Sequence, residues 1–123
     1  SYTEKALERD RKFLADFPES EHSKMVTESM DVLRNKLAKK IYETGVLYMK
    51  MDEFEPARMS FNAVIDKYYD TEIIEKVHFE VIKSYVKEGN VKKAEKHWVD
   101  KGQSYILNEE IINEIAELFS TKE

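Results

Sequence analysis

Sliding the sequence against itself by 37 residues brings seven positions into register, and this self-similarity restricts the possible folds more than any other feature. Tyr48 falls on Tyr85, Ala57 on Ala94, Phe61 on Trp98 and Tyr68 on Tyr105. Thr71 falls on Asn108, Glu72 on Glu109 and Ile74 on Ile111. The pairs sit at helix starts or on apolar stripes, so the repeating unit is two helices joined by a tight turn. Such units cannot bury their apolar faces alone and stack on their neighbours, which predicts a short α-solenoid. A shift of 51 lays Ala6 on Ala57, Phe13 on Val64, Phe17 on Tyr68 and Ser20 on Thr71. The excess of 51 over 37 is 14 residues, about four α-turns or roughly 21 Å, which returns the stripe to nearly its original face. One helix, from about residue 20 to 50, therefore carries a four-turn extension.

The periodicity agrees. Val26, Met30, Leu33, Leu37, Ile41 and Tyr48 recur at helical spacing, as do Phe54, Ala57, Phe61, Val64 and Tyr68, and nothing alternates with period two for long enough to make a strand. Ser20, Thr71 and Asn108 each precede an acidic residue and an apolar run, as N-caps do. Pro18 fits outside a helix and Pro56 inside a first turn; Met51-Asp52-Glu53 and Gly89-Asn90 read as tight turns. Helices are expected at about 2–16, 20–50, 54–68, 72–88, 91–105 and 109–120. The chain reads as one all-α domain over 1–123. Three Gly and two Pro in 123 residues leave no room for a multi-turn β-sandwich or a low-complexity linker.

Several function classes are disfavoured. Twenty basic against 25 acidic residues leave a net charge of −5, the reverse of a nucleic-acid binder. With no Cys there is no thiol nucleophile or cysteinyl zinc site. His22, His78 and His97 fall on different expected helices and read as surface or packing residues, since a zinc site needs three or four ligands. No Gly-rich phosphate loop is present, and Trp98 with the other aromatics has the spacing of a core. Neither an enzyme nor a cofactor is implied. The start, SYTEKALERDRK, lacks an initiator Met and a signal peptide, so the chain reads as a processed or excised piece of a longer protein. On that reading the apolar face of helix 2–16 awaits an earlier repeat, and 108–123 is either a capping helix or a repeat cut short.

The stretch Ile41–Tyr69 resembles a tetratricopeptide repeat (TPR). Gly45 and Tyr48 match the small and aromatic positions of its first helix, and Ala57, Phe61 and Val64 those of its second. Tyr69 stands where the pattern closes with Pro. In the second copy Ile82 replaces the small residue and Lys101 takes an expected small site. A narrower resemblance, over about residues 6–100, is to the C-terminal half of the BamD (YfiO, ComL) family. It rests on Phe17-Pro18-x-Ser20 before the long helix, Leu33-Arg34 with Leu37-Ala38 in its middle, the Tyr48-to-Phe54 turn, and the closing Tyr68-x-Asp70-Thr71. These are TPR lipoproteins of the machine that assembles outer-membrane β-barrels. The resemblance implies a non-enzymatic scaffold on the periplasmic face of the outer membrane, held there by an upstream lipid anchor. Its implied partners are the periplasmic repeats of the barrel-forming assembly factor, with unfolded barrel precursors as a further class. The rival readings are another TPR adaptor, either a periplasmic cell-envelope coordinator or a cytoplasmic peptide-binding module, and an accessory domain of an enzyme.

In stacked TPRs the first helices line a concave groove. Counted from the small residue, the groove positions are Lys39, Tyr42, Val46, Met49 and Lys50 in one repeat and Lys76, Phe79, Lys83, Val86 and Lys87 in the next. Both sets run Lys, aromatic, variable, apolar, Lys. Lysines and apolar groups on one inner face suit a peptide with a carboxylate and aromatic side chains. The plainer reading is a solvated helix face with snorkelling lysines.

Overall fold

A computed structural model describes residues 2–18 and 22–121, all helix, turn or coil, with no strand among them. The order is α1 (Tyr2–Asp16), α2 (Ser23–Lys50), α3 (Phe54–Lys67), α4 (Ile74–Lys87), α5 (Val91–His97), a π-helical turn (Trp98–Gly102), α6 (Gln103–Tyr105) and α7 (Glu109–Ser120). The segments from 91 to 105 make one rod, so six rods follow one another in a TPR-like all-α fold, the first five each packed on the next and α7 packed on α4. At 28 residues α2 is 14 longer than the 14-residue α4, the difference the two repeat shifts require. The expected cap Ser20 lies outside the described residues. The outward side of α1 shows Lys5, Glu8, Arg9, Arg11 and Lys12, with only Ala6 and Leu7 buried inward.

The first pair, α2 and α3, approaches closely at Gly45. A methyl group at residue 45 would lie 2.8 Å from two carbons of the Phe61 ring, and Phe61 is fully buried. The second pair reaches the same end by another route. Ile82 is large and fully buried, and the small residue facing it is Gly102, whose added methyl would sit 3.5 Å from Ile82 Cδ1. The π turn makes this possible, because it holds one residue more than an α-turn and rotates the residues beyond it. Gly102 therefore turns inward and Lys101 outward, and Ile106 (1% exposed) takes the buried place that Tyr68 holds in the first pair. Tyr105, the 37-residue partner of Tyr68, is displaced to the surface (36% exposed). The unbroken helix expected over 91–105 is corrected accordingly.

The turns are as their residues require. Asp52 adopts φ 57° and Gly89 φ 88°, each reversing the chain between paired helices. Asn90 accepts from Lys93 N at 3.2 Å, and Asn108 accepts from Glu110 N at 2.9 Å and Ile111 N at 3.2 Å. Thr71 is a correction. Its hydroxyl donates to the Tyr68 carbonyl at 2.6 Å, and Ile73 occupies the N-cap of α4. The start of α4 is instead held from α2, where Asn35 Oδ1 accepts from Glu72 N at 2.7 Å. One repeat on, Glu75 of α4 accepts from Leu107 N at 3.2 Å and Asn108 N at 3.0 Å, just ahead of α7. Side chains of α2 and α4 thus register the next first helix.

Candidate protein-binding groove

The first helices of successive pairs, α2, α4 and α7, lie in sequence, with α4 touching both of the others. Two clefts flank α4. The cleft toward α2, about 470 Å³, is lined by Asn35, Lys36, Lys39, Glu72, Ile73 and Lys76. The cleft toward α7, also about 470 Å³, is lined by Phe79, Lys83, Glu114, Glu117, Leu118 and Thr121. Lys76 and Lys83 are seven residues apart, close to two helical turns, so both clefts open along one face of α4. Phe79 packs on the core formed by Ile82, Val86, Ala94, Ile106 and Ile115, and Lys83 Nζ stands 5.9 Å from its ring centroid.

Tyr42 of α2 packs on Phe61, ring centroids 6.0 Å apart. Burial raises the pKa of its hydroxyl, and the charges of Glu80 and Glu43 add to this. Glu80 of α4 is half-buried, which raises its carboxyl above the usual range against the pull of Lys83 and Lys87, while Glu114 of α7 pushes the same way as burial. The negative charges of Glu80 and Glu114 thus act on one another between α4 and α7.

A model of the YfiO family, whose description is outer membrane lipoprotein, matches residues 1–99. The chain belongs to that family. No curated protein matches it. The YfiO match ends within the π turn, so α7, with the acidic wall of the second cleft, lies beyond the matched residues. Among the described residues of this YfiO-family chain, no helix is long and apolar enough to cross a membrane.

The groove positions expected from the sequence divide. Lys39 and Lys76 share the first cleft, and Phe79 and Lys83 share the second. Val46 is half-buried against the first core. Met49 (6% exposed) and Val86 (1% exposed) are core residues, which corrects their assignment to the groove surface. Lys50 and Lys87 lie in the last turns of α2 and α4, where a cation also meets the negative end of the helix. Sequence reasoning missed Lys36, Ile73, Glu80, Glu114, Glu117 and Leu118. One signal was at hand, because the 37-residue shift that pairs Lys39 with Lys76 also pairs Glu43 with Glu80.

Two buried polar clusters were missed as well. Arg58 of α3 donates to Ser84 Oγ at 3.0 Å and to both carboxylate oxygens of Glu88 at 3.0 and 2.9 Å, with its guanidinium 4.1 Å over the Tyr85 ring. Nη2 meets both oxygens of Glu88 while Nη1 meets Ser84, and these charge-assisted bonds tie α3 to the end of α4. His78 is fully buried, with Nδ1 2.9 Å from His97 Nε2 and its ring stacked on Tyr105 at 4.8 Å. Burial first, then the positive charges of the neighbouring ring and of Lys101, push His78 down to about 4. For His97 burial and Lys101 outweigh Asp100, and its value is also about 4. Among the described residues no group of three or more potential ligands is placed to hold a metal ion.

Proposed function

We propose that this YfiO-family chain is a non-enzymatic scaffold of outer-membrane β-barrel assembly, which works by holding polypeptide against the face shared by α2, α4 and α7. Its partners on this reading are the periplasmic repeats of the barrel-forming assembly factor and unfolded barrel precursors. Membership of a family described as outer membrane lipoproteins supports a position at the periplasmic side of that membrane, with a lipid anchor upstream of these residues. The observation that carries the reading is the pair of clefts on one face of α4, each holding a lysine and an apolar residue. The mechanism is positional. Helices locked by Gly45, Arg58 and the Asn35 and Glu75 caps present preformed clefts, so ordering the scaffold costs little when a partner docks.

The test is charge reversal at Lys39 and Lys83 together, read by calorimetric titration with the purified periplasmic repeats of the assembly factor. We expect a loss of affinity of at least tenfold with the thermal transition unchanged. Unaltered affinity removes the groove from the mechanism.

A further inference from the structure

We infer that the groove selects for separated charge: it takes an extended segment carrying carboxylates at one end, an apolar or aromatic side chain in the middle, and Lys or Arg at the other. This rests on the groove reading above and deepens it by naming the chemistry of the occupant.

The two clefts have opposite character. The cleft between α2 and α4 presents Lys36, Lys39 and Lys76 against one carboxylate, Glu72. The cleft between α4 and α7 presents Glu114 and Glu117 against one cation, Lys83. Half-buried Glu80 stands close enough to Glu114 for their charges to interact, which extends the negative side toward the middle. Apolar side chains underlie both: Ile73 in the first, Phe79 and Leu118 in the second. A uniformly acidic peptide would satisfy the first cleft and be repelled by the second, and a uniformly basic one the reverse. Only a segment with its charges apart satisfies both.

The spacing sets the length. Lys76 and Lys83 are about 10 Å apart along one face of α4, and from that face one cleft opens toward α2 and the other toward α7, neighbours that stand roughly 8–10 Å away. The centres of opposite charge are therefore on the order of 14 Å apart, about four residues of extended chain.

Four fluorescein-labelled peptides of nine residues, titrated by anisotropy with the whole chain, test this. One has acidic and basic thirds flanking a central Phe, one has the same composition with charges alternating, one is all-acidic and one all-basic. The separated peptide is expected to bind at least fivefold more tightly than the alternating one at low salt. Glu114→Lys with Glu117→Lys, which makes both clefts basic, shifts the preference to the all-acidic peptide. Lys39→Glu with Lys76→Glu shifts it to the all-basic one. Equal binding of the separated and alternating peptides, or variants that leave the ranking unchanged, overturns the inference. If the assembly-factor repeats bind through Lys39 and Lys83 while the peptides are not discriminated, the charge rule alone fails. If neither the repeats nor any peptide binds, the groove reading falls with it.

Discussion

A glycine within a helix ordinarily weakens it, and replacement by alanine recovers about 1 kcal/mol. At Gly45 the sign reverses, because the added methyl meets the buried Phe61 ring. Gly45→Ala is expected to destabilise the chain by about 1–3 kcal/mol in urea unfolding, and adding Phe61→Leu should recover part of the loss. The His78–His97 pair makes a second prediction at this scale. Unfolded histidines take up protons near 6.5, whereas the folded pair stays neutral down to about 4. Stability is therefore complete above 6.5 and declines as pH falls from there toward 4, by up to about 1.4 kcal/mol per pH unit for each proton. The groups facing the pair are Lys101 and Asp100 from the same rod and the stacked Tyr105. His78→Phe keeps a ring against Tyr105 and should flatten that dependence. An unchanged slope across the window contradicts the assignment.

Among the elements, the π turn offers the sharpest test. Deleting one residue from a regular helix rotates everything beyond it by about 100° and exposes the buried stripe. Deleting exposed Val99 instead removes the surplus residue of the π turn and leaves Gly102 and Ile106 facing inward. The Val99 deletion should melt cooperatively within a few degrees of the parent, while deleting exposed Asn62 from α3 should abolish the transition. The turn was half-legible in the sequence. The two-helix repeat and the start of α7 at Asn108 follow from local chemistry and spacing, and the structure carries both. Lys101 at a small-residue site, with Gly102 beside it, was the mark of a one-residue slip. Thr71 misled because its hydroxyl has a nearer acceptor in Tyr68, and the donor at Glu72 is met by Asn35 from a helix 37 residues earlier. The His78–His97 contact spans 19 residues and two helices, and the acidic wall of the groove depends on how α7 packs. No local pattern encodes either.

Across the whole molecule the buried residues form two clusters, one around Phe61 and Val77, the other around Ile82 and Ile115, with Tyr85 packed against both. A solenoid so divided unfolds in parts, since each repeat leans on its neighbours alone. Ile115→Ala should cost about 2–4 kcal/mol and speed amide hydrogen exchange in α7 and the second half of α4, with α2 and α3 still protected. Uniform acceleration in every helix would mean a single cooperative unit. The length of α2 has a mechanical consequence. At 28 residues it is a beam about 42 Å long, packed against both α1 and α3. A load applied beside α1 cannot dissipate by bending at a joint, because there is none. It is carried along one continuous helix to Lys36 and Lys39 in the first cleft.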